Sequence, residues 1–121
     1  MILAGVLITE SLRVGSALSA VPLRVTRIRR IDASGATGDQ PRHWTLVDFE
    51  AAETDAERLA DALAGCLRPT GGWYANFNTV TDAFVVFADR VFRYRRGESR
   101  EHVDEYARSV GVPEHQLDWE D

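Results

Sequence analysis

The chain has 121 residues, the size of one domain with a single core, and its formal net charge at pH 7 is −5. Hydrophobic residues make up 45% and charged residues 27%, which excludes a disordered chain. The acidic balance disfavours a general affinity for nucleic acid or anionic membranes, while a local basic surface is compatible with it. The single cysteine, Cys66, excludes an internal disulfide and a thiolate metal cluster.

The chain starts with an apolar run, at residues 2–8, that is followed by Glu10. A secretory signal needs a basic segment before a longer apolar run, and a transmembrane helix needs about 20 apolar residues. We therefore expect a first β-strand in a cytoplasmic protein.

Six strands and two helices are predicted from hydrophobic alternation and periodicity. The strands are expected at 2–12, 21–31, 43–50, 73–79, 83–88 and 91–96. One helix follows a capping box formed by Thr54 and Glu57, and the second spans 99–110. Residues 32–42, rich in Gly, Ser, Asp and Pro, are expected to form a mobile loop, and 112–121 a C-terminal tail with a helical turn at Pro113.

The element order βββαβββα predicts a single α+β domain over residues 1–121. We expect a two-layer sandwich, in which an antiparallel sheet of about six strands carries both helices on one face.

Two similar arginine-rich motifs, RVTRIRR at 24–30 and RVFRYRR at 90–96, are the most conspicuous feature of the sequence. All 14 basic residues are arginine, a usage typical of a GC-rich genome, so the choice of arginine over lysine carries little information. Side chains alternate between the faces of a strand, and the alternation predicts one open, locally positive sheet face. The side chains expected there as a ligand- or partner-binding site are Arg27, Arg29, Tyr74, Asn76, Arg93 and Arg95.

The same arginines are also consistent with an ordinary solvated face that balances the acidic helices within the molecule. The strand AFVVFA at 83–88 argues against a fully wet face, because it is apolar on both sides and needs cover on both. A second subunit, the 32–42 loop, the tail or a ligand could supply that cover. A symmetric homodimer is the arrangement that we expect.

The predicted function is that of a non-catalytic binding or accessory protein, which uses the arginine-bearing face for a protein partner or for self-association. The alternative is a binder of a small anionic molecule, or an enzyme of unrecognised type, with a pocket built from Tyr74, Asn76, Arg93 and Arg95.

No catalytic residue, metal site or cofactor is predicted. Glu98, His102 and Glu105 share one helix face, but such triples are common on exposed helices. Cys66 lies on an apolar helix stripe and is interpreted as part of the core. The segment DAFVVF fits only part of an RNA-binding strand motif, and nucleic acid is disfavoured as a partner.

Three segments, 71–77, 85–97 and 106–119, carry a resemblance to short uncharacterised proteins of high-GC actinobacteria, and the similarity extends through the chain. The resemblance implies a cytoplasmic bacterial setting and transfers no mechanism.

Overall fold

The computed structural model describes the whole chain, Met1–Asp121, and its strands and helices follow the predicted order βββαβββα. The strands are β1 (Ile2–Ile8), β2 (Arg24–Asp32), β3 (His43–Ala52), β4 (Ala75–Asn78), β5 (Asp82–Phe87) and β6 (Arg90–Arg95). The helices are α1 (Ala56–Ala64) and α2 (Glu101–Ser109), and 3₁₀ turns lie at Thr9–Ser11, Glu53–Asp55 and Glu114–Gln116. Neither helix has the length and apolar character that crossing a lipid bilayer requires.

All six strands belong to one antiparallel sheet with the spatial order β2-β3-β1-β4-β5-β6. The predicted α+β fold with a six-stranded antiparallel sheet is confirmed. The two arginine-rich motifs lie in the two outermost strands of the sheet. Residues 24–30 belong to β2, and residues 90–95 form β6.

One side of the sheet, which we call the first face, is covered by α1. Alternate residues of β1, β3, β4 and β5 are buried there against the apolar side of the helix. The largest of them are Leu3, Leu7, Phe49, Phe77, Phe84 and Val86, which pack with Leu59 and Leu63 of α1. The Phe77 and Phe84 rings stack with their centroids 4.9 Å apart. Full burial of each such side chain stabilises the fold by about 1.5–3 kcal/mol.

The start of α1 differs from the predicted capping box. The helix begins after a 3₁₀ turn, its N-cap residue is Asp55, and no side chain caps it. The Glu57 carboxylate, expected to reach back to the cap, instead accepts a hydrogen bond from Arg93 of β6 at 2.6 Å. An ion pair between helix and sheet therefore replaces the cap.

The opposite side of the sheet, the second face, is covered over β4–β6 by α2 and the C-terminal tail. Its core consists of the other alternate set of strand residues together with residues of α2 and the tail: Ala83, Val85, Phe87, Phe92, Tyr94, Val103, Ala107, Val112 and Trp119. The prediction that both helices lie on one face is wrong. The reason is β5, whose two side-chain sets are both apolar, so that each needs its own cover.

The helix and tail leave the β1–β3 half of the second face open. Ile2 and Val6 of β1 point there, and their exposed fractions are 65% and 37%.

Candidate functional site

Four of the six predicted site residues lie on the second face. In β2, Arg27 and Arg29 are paired with Asp48 and Leu46 of β3, and Asn76 of β4 is paired with Val6 of β1. Tyr74 lies on the same side, because its ring packs against Phe87 and Trp119.

Arg93 and Arg95 lie on the first face, so the expectation of one common arginine-bearing face is wrong. In the β5–β6 hairpin, Arg93 is paired with Phe84 and Arg95 with Asp82, whereas Phe92 and Tyr94 point to the second face. Arg93 binds Glu57 and Asp82, while the exposed Arg95 has no side-chain hydrogen bond. The prediction had assumed that Phe92 and Tyr94 share a face with Phe77, under both helices. In the structure α2 covers the second face separately, and Phe92 and Tyr94 pack there.

The arginines of β2 are neutralised within the sheet. Asp48 accepts hydrogen bonds from Arg27 Nε at 3.0 Å and from Arg29 at 3.1 Å through both of its oxygens. The hydrogen bond from Arg27, reinforced by Arg29, holds the pKa of Asp48 below its ordinary value although partial burial opposes it. Arg24 pairs with Glu50, and Arg30 with Glu10. The β2 edge is thus basic in sequence but internally balanced in the fold.

Replacing Asp48 tests this balance. Its carboxylate favours the folded state once the pH exceeds the ordinary aspartate pKa, and this contribution is lost as the pH falls through the lowered folded-state pKa. Asp48→Asn should therefore lower the free energy of unfolding by about 1 kcal/mol near pH 6 and by much less near pH 2.5. Urea unfolding at both pH values measures the difference. Asp61→Asn on α1 is the control, because the Asp61 carboxylate has no ion-pair partner, and an equal loss in both variants would contradict the assignment.

A cleft of about 370 Å³ opens on the second face beside the predicted residues. Its floor is apolar and is formed by residues of β1, β2 and β3: Val6, Ile8, Ile31, Trp44 and Leu46. Tyr74 and Asn76 contribute to its lining, whereas none of the four predicted arginines does. Of the four residues of the alternative pocket predicted from the sequence, two line this cleft and two lie on the other face of the sheet.

Two segments border the cleft above this floor, the first part of the 32–42 loop and residues 115–118 of the tail. His115 Nε2 and Gln116 Nε2 both donate to the Gly35 carbonyl, at 2.8 and 2.9 Å. The buried Gln40 amide bonds with Gln116 and donates to the Gly71 carbonyl at 2.8 Å. Loop and tail are thus joined to each other over the sheet.

The tail itself is fixed by an aromatic anchor. Trp119 is buried, donates from Nε1 to the Tyr94 hydroxyl at 2.9 Å, and carries the Arg100 guanidinium 3.8 Å from its ring centroid. The Tyr74 hydroxyl donates to the Gln116 carbonyl. Burial, together with the nearby Asp118 carboxylate, raises the pKa of Tyr74. Tyr74 therefore remains a neutral hydrogen-bond donor that holds the cleft wall.

Two indole rings form one end of the cleft. The centroids of Trp44 and Trp73 are 5.3 Å apart, and the two rings are tilted by 59°. Trp44 Nε1 donates to the Pro41 carbonyl at 2.8 Å. Trp73 is 5% exposed and its Nε1 has no hydrogen-bond partner, which is an unfavourable state for a buried donor.

Sequence reasoning missed most of the polar wall of the cleft, namely His115, Gln116 and Asp118. These residues lie in the tail, whose position depends on contacts between distant parts of the chain. A signal for the tail was available in Trp119, a large aromatic residue near the end of the chain, which is buried and anchors the tail.

The remaining candidate chemistry is accounted for by packing. His102 lies edge-on to Phe92 at a centroid distance of 5.8 Å, and the structure gathers no group of three His, Cys, Asp or Glu side chains that could hold a metal ion. Cys66 is a buried free thiol whose Sγ approaches the Ala17 carbonyl at 3.4 Å.

Comparison with known proteins adds no further assignment: no family model, curated protein or solved structure matches the chain. The resemblance to actinobacterial proteins and the cytoplasmic location stay predictions.

Proposed function

We propose that the protein is a non-catalytic binding protein that holds a small molecule in the cleft on the second face. The single observation that carries the proposal is the cleft itself, with its apolar floor on a rigid sheet and its polar wall of loop and tail. Its volume of about 370 Å³ is typical of small-molecule sites, which combine mostly apolar surface with a few converging polar groups.

Binding without catalysis is proposed because three of the polar residues of the cleft are engaged in holding its walls. His115, Gln116 and Tyr74 all bond to backbone carbonyls of the loop or the tail. The His115 ring is held in the wall by the hydrogen bond that its Nε2 donates to the Gly35 carbonyl.

Partner binding or self-association through the arginine-bearing strands, including the expected homodimer, stays a prediction. The geometry favours the small-molecule alternative, because the β2 arginines already have carboxylate partners in their own chain.

A fragment library screened by NMR tests the proposal. We expect bound fragments to shift the indole N–H resonances of Trp44 and Trp73 more than that of Trp119, which lies outside the cleft lining. Leu46→Trp, which fills the cleft from its floor, should abolish these shifts. Ile28→Trp is the matched control, because Ile28 is a 66% exposed aliphatic residue on the opposite face of the same sheet.

Retention of the shifts in Leu46→Trp, or shifts confined to residues outside the cleft, would overturn the proposed function. Loss of the shifts in both variants would also count against it, since Ile28→Trp does not touch the cleft.

A further inference from the structure

The charge of the cleft indicates the kind of molecule that it can hold. Its charged lining residues are Asp32 and Asp118, and none of the chain's 14 arginines lines it. Asp32 lies 3.5 Å from Arg42, whereas the only side-chain partner of Asp118 is the Tyr74 hydroxyl, at 3.3 Å. Asp118 therefore leaves an unneutralised negative charge at the cleft.

A second depression, of about 360 Å³, continues the cleft along β1 and shares Val6 and Asn76 with it. Its charged lining residues are Asp48, Glu50 and Glu120. The first two are paired with the arginines of β2, while the Glu120 carboxylate has no ion-pair partner. The cleft and this second depression together therefore have an aromatic end at Trp44 and Trp73 and excess negative charge along the tail.

The indole end provides a second, independent indication of a ligand. Trp44 and Trp73 offer two tilted aromatic surfaces, which pack well against a flat ring. The unpartnered Nε1 of the buried Trp73 is a donor in the cleft wall that an acceptor atom or the π-face of a ligand could engage after a small ring movement.

From these observations we infer that the ligand is an organic cation, with a flat apolar body and a protonated amine. The body would lie between Val6 and the two indoles, and the amine beside Asp118. This inference rests on the proposed function and reverses the charge of the ligand expected from the sequence.

Three biphenyl compounds of nearly equal size provide the test: biphenyl-4-methylamine, biphenyl-4-methanol and biphenyl-4-carboxylate. Their affinities are measured by NMR titration of the Trp44 and Trp73 indole N–H groups. The amine should bind about threefold more tightly than the alcohol and at least about tenfold more tightly than the carboxylate. Asp118→Asn should remove the advantage of the amine over the alcohol, because the amide carries no charge.

Asp61→Asn is the matched control, because it changes the net charge of the protein equally but lies on α1, across the sheet. It should retain the preference for the amine. Loss of the preference in this control would show that net charge, not Asp118, sets it and would overturn the inference.

Two other outcomes separate the inference from the proposed function. If the alcohol or the carboxylate binds in the cleft as tightly as the amine, the inference is wrong and the proposed function stands. If none of the three compounds shifts either indole resonance at millimolar concentration, both are contradicted.

Discussion

Trp119→Ala is expected to lower the free energy of unfolding by about 3–5 kcal/mol. The substitution removes a buried indole from the core of the second face, leaves the Tyr94 hydroxyl without its donor, and removes the surface on which Arg100 lies. Urea unfolding monitored by far-ultraviolet circular dichroism measures the loss. Because the tail forms one wall of the cleft, the binding of fragments proposed for the cleft should weaken as well.

Glu120→Ala is the matched control for this substitution. Glu120 is the next residue of the tail, its side chain is exposed, and only its backbone carbonyl is used, as an acceptor for Asn78. The substitution should lower the free energy of unfolding by no more than about 0.5 kcal/mol. Equal, small effects of the two substitutions would show that the tail does not pack on the second face as described.

Gly72→Ala is expected to destabilise the fold by about 2–4 kcal/mol, because two costs add. Gly72 has a φ of +72°, a conformation that is unfavourable for alanine. A Cβ atom there would also lie 2.7 Å from the Gly111 carbonyl oxygen, just after α2. Backbone atoms cannot rotate away as a flexible side chain can. The segment before β4 would therefore have to move away from the residues that follow α2.

Gly97→Ala isolates the conformational part of this cost. Gly97 has a similar φ, +82°, but a Cβ atom there would have no neighbour within 4 Å. This variant should lose only about 1–2 kcal/mol. Thermal unfolding of both variants measures the two losses of stability, and their difference reports the close approach of Gly72 to Gly111. An equal loss of stability in the two variants would contradict that contact.

The order and type of the elements could be predicted from the sequence because each is encoded locally. Alternation in strands and the apolar stripe of α1 require only neighbouring residues, and the sheet and both helices are confirmed. The placement of α2 is a non-local property. The sequence did contain a signal for it, because β5 is apolar on both faces and each face must be covered. Val85 and Phe87 are covered by α2 and the tail, on the face opposite to Phe84 and Val86.

The candidate site could be predicted only where alternation within one strand was enough. Tyr74 and Asn76 were correctly placed beside each other, as were Arg27 and Arg29. Relating Arg93 to them required the pairing between strands, and the β5–β6 hairpin places Arg93 opposite Phe84, on the α1 side. The polar wall of the cleft required the position of the tail, which no local pattern specifies.

The two arginine-rich motifs, as the outermost strands, bear on how the folded molecule meets copies of itself. An edge strand has unpaired backbone N–H and C=O groups, to which a strand of another molecule can add. Antiparallel joining of two β2 strands would set guanidinium groups against each other, and the same holds for two β6 strands. This repulsion is reduced at β2, because carboxylates of the same chain already pair with its arginines. Arg95 of β6 is exposed and has no carboxylate partner, so charge opposes end-to-end growth of the sheet more strongly at the β6 edge than at the β2 edge.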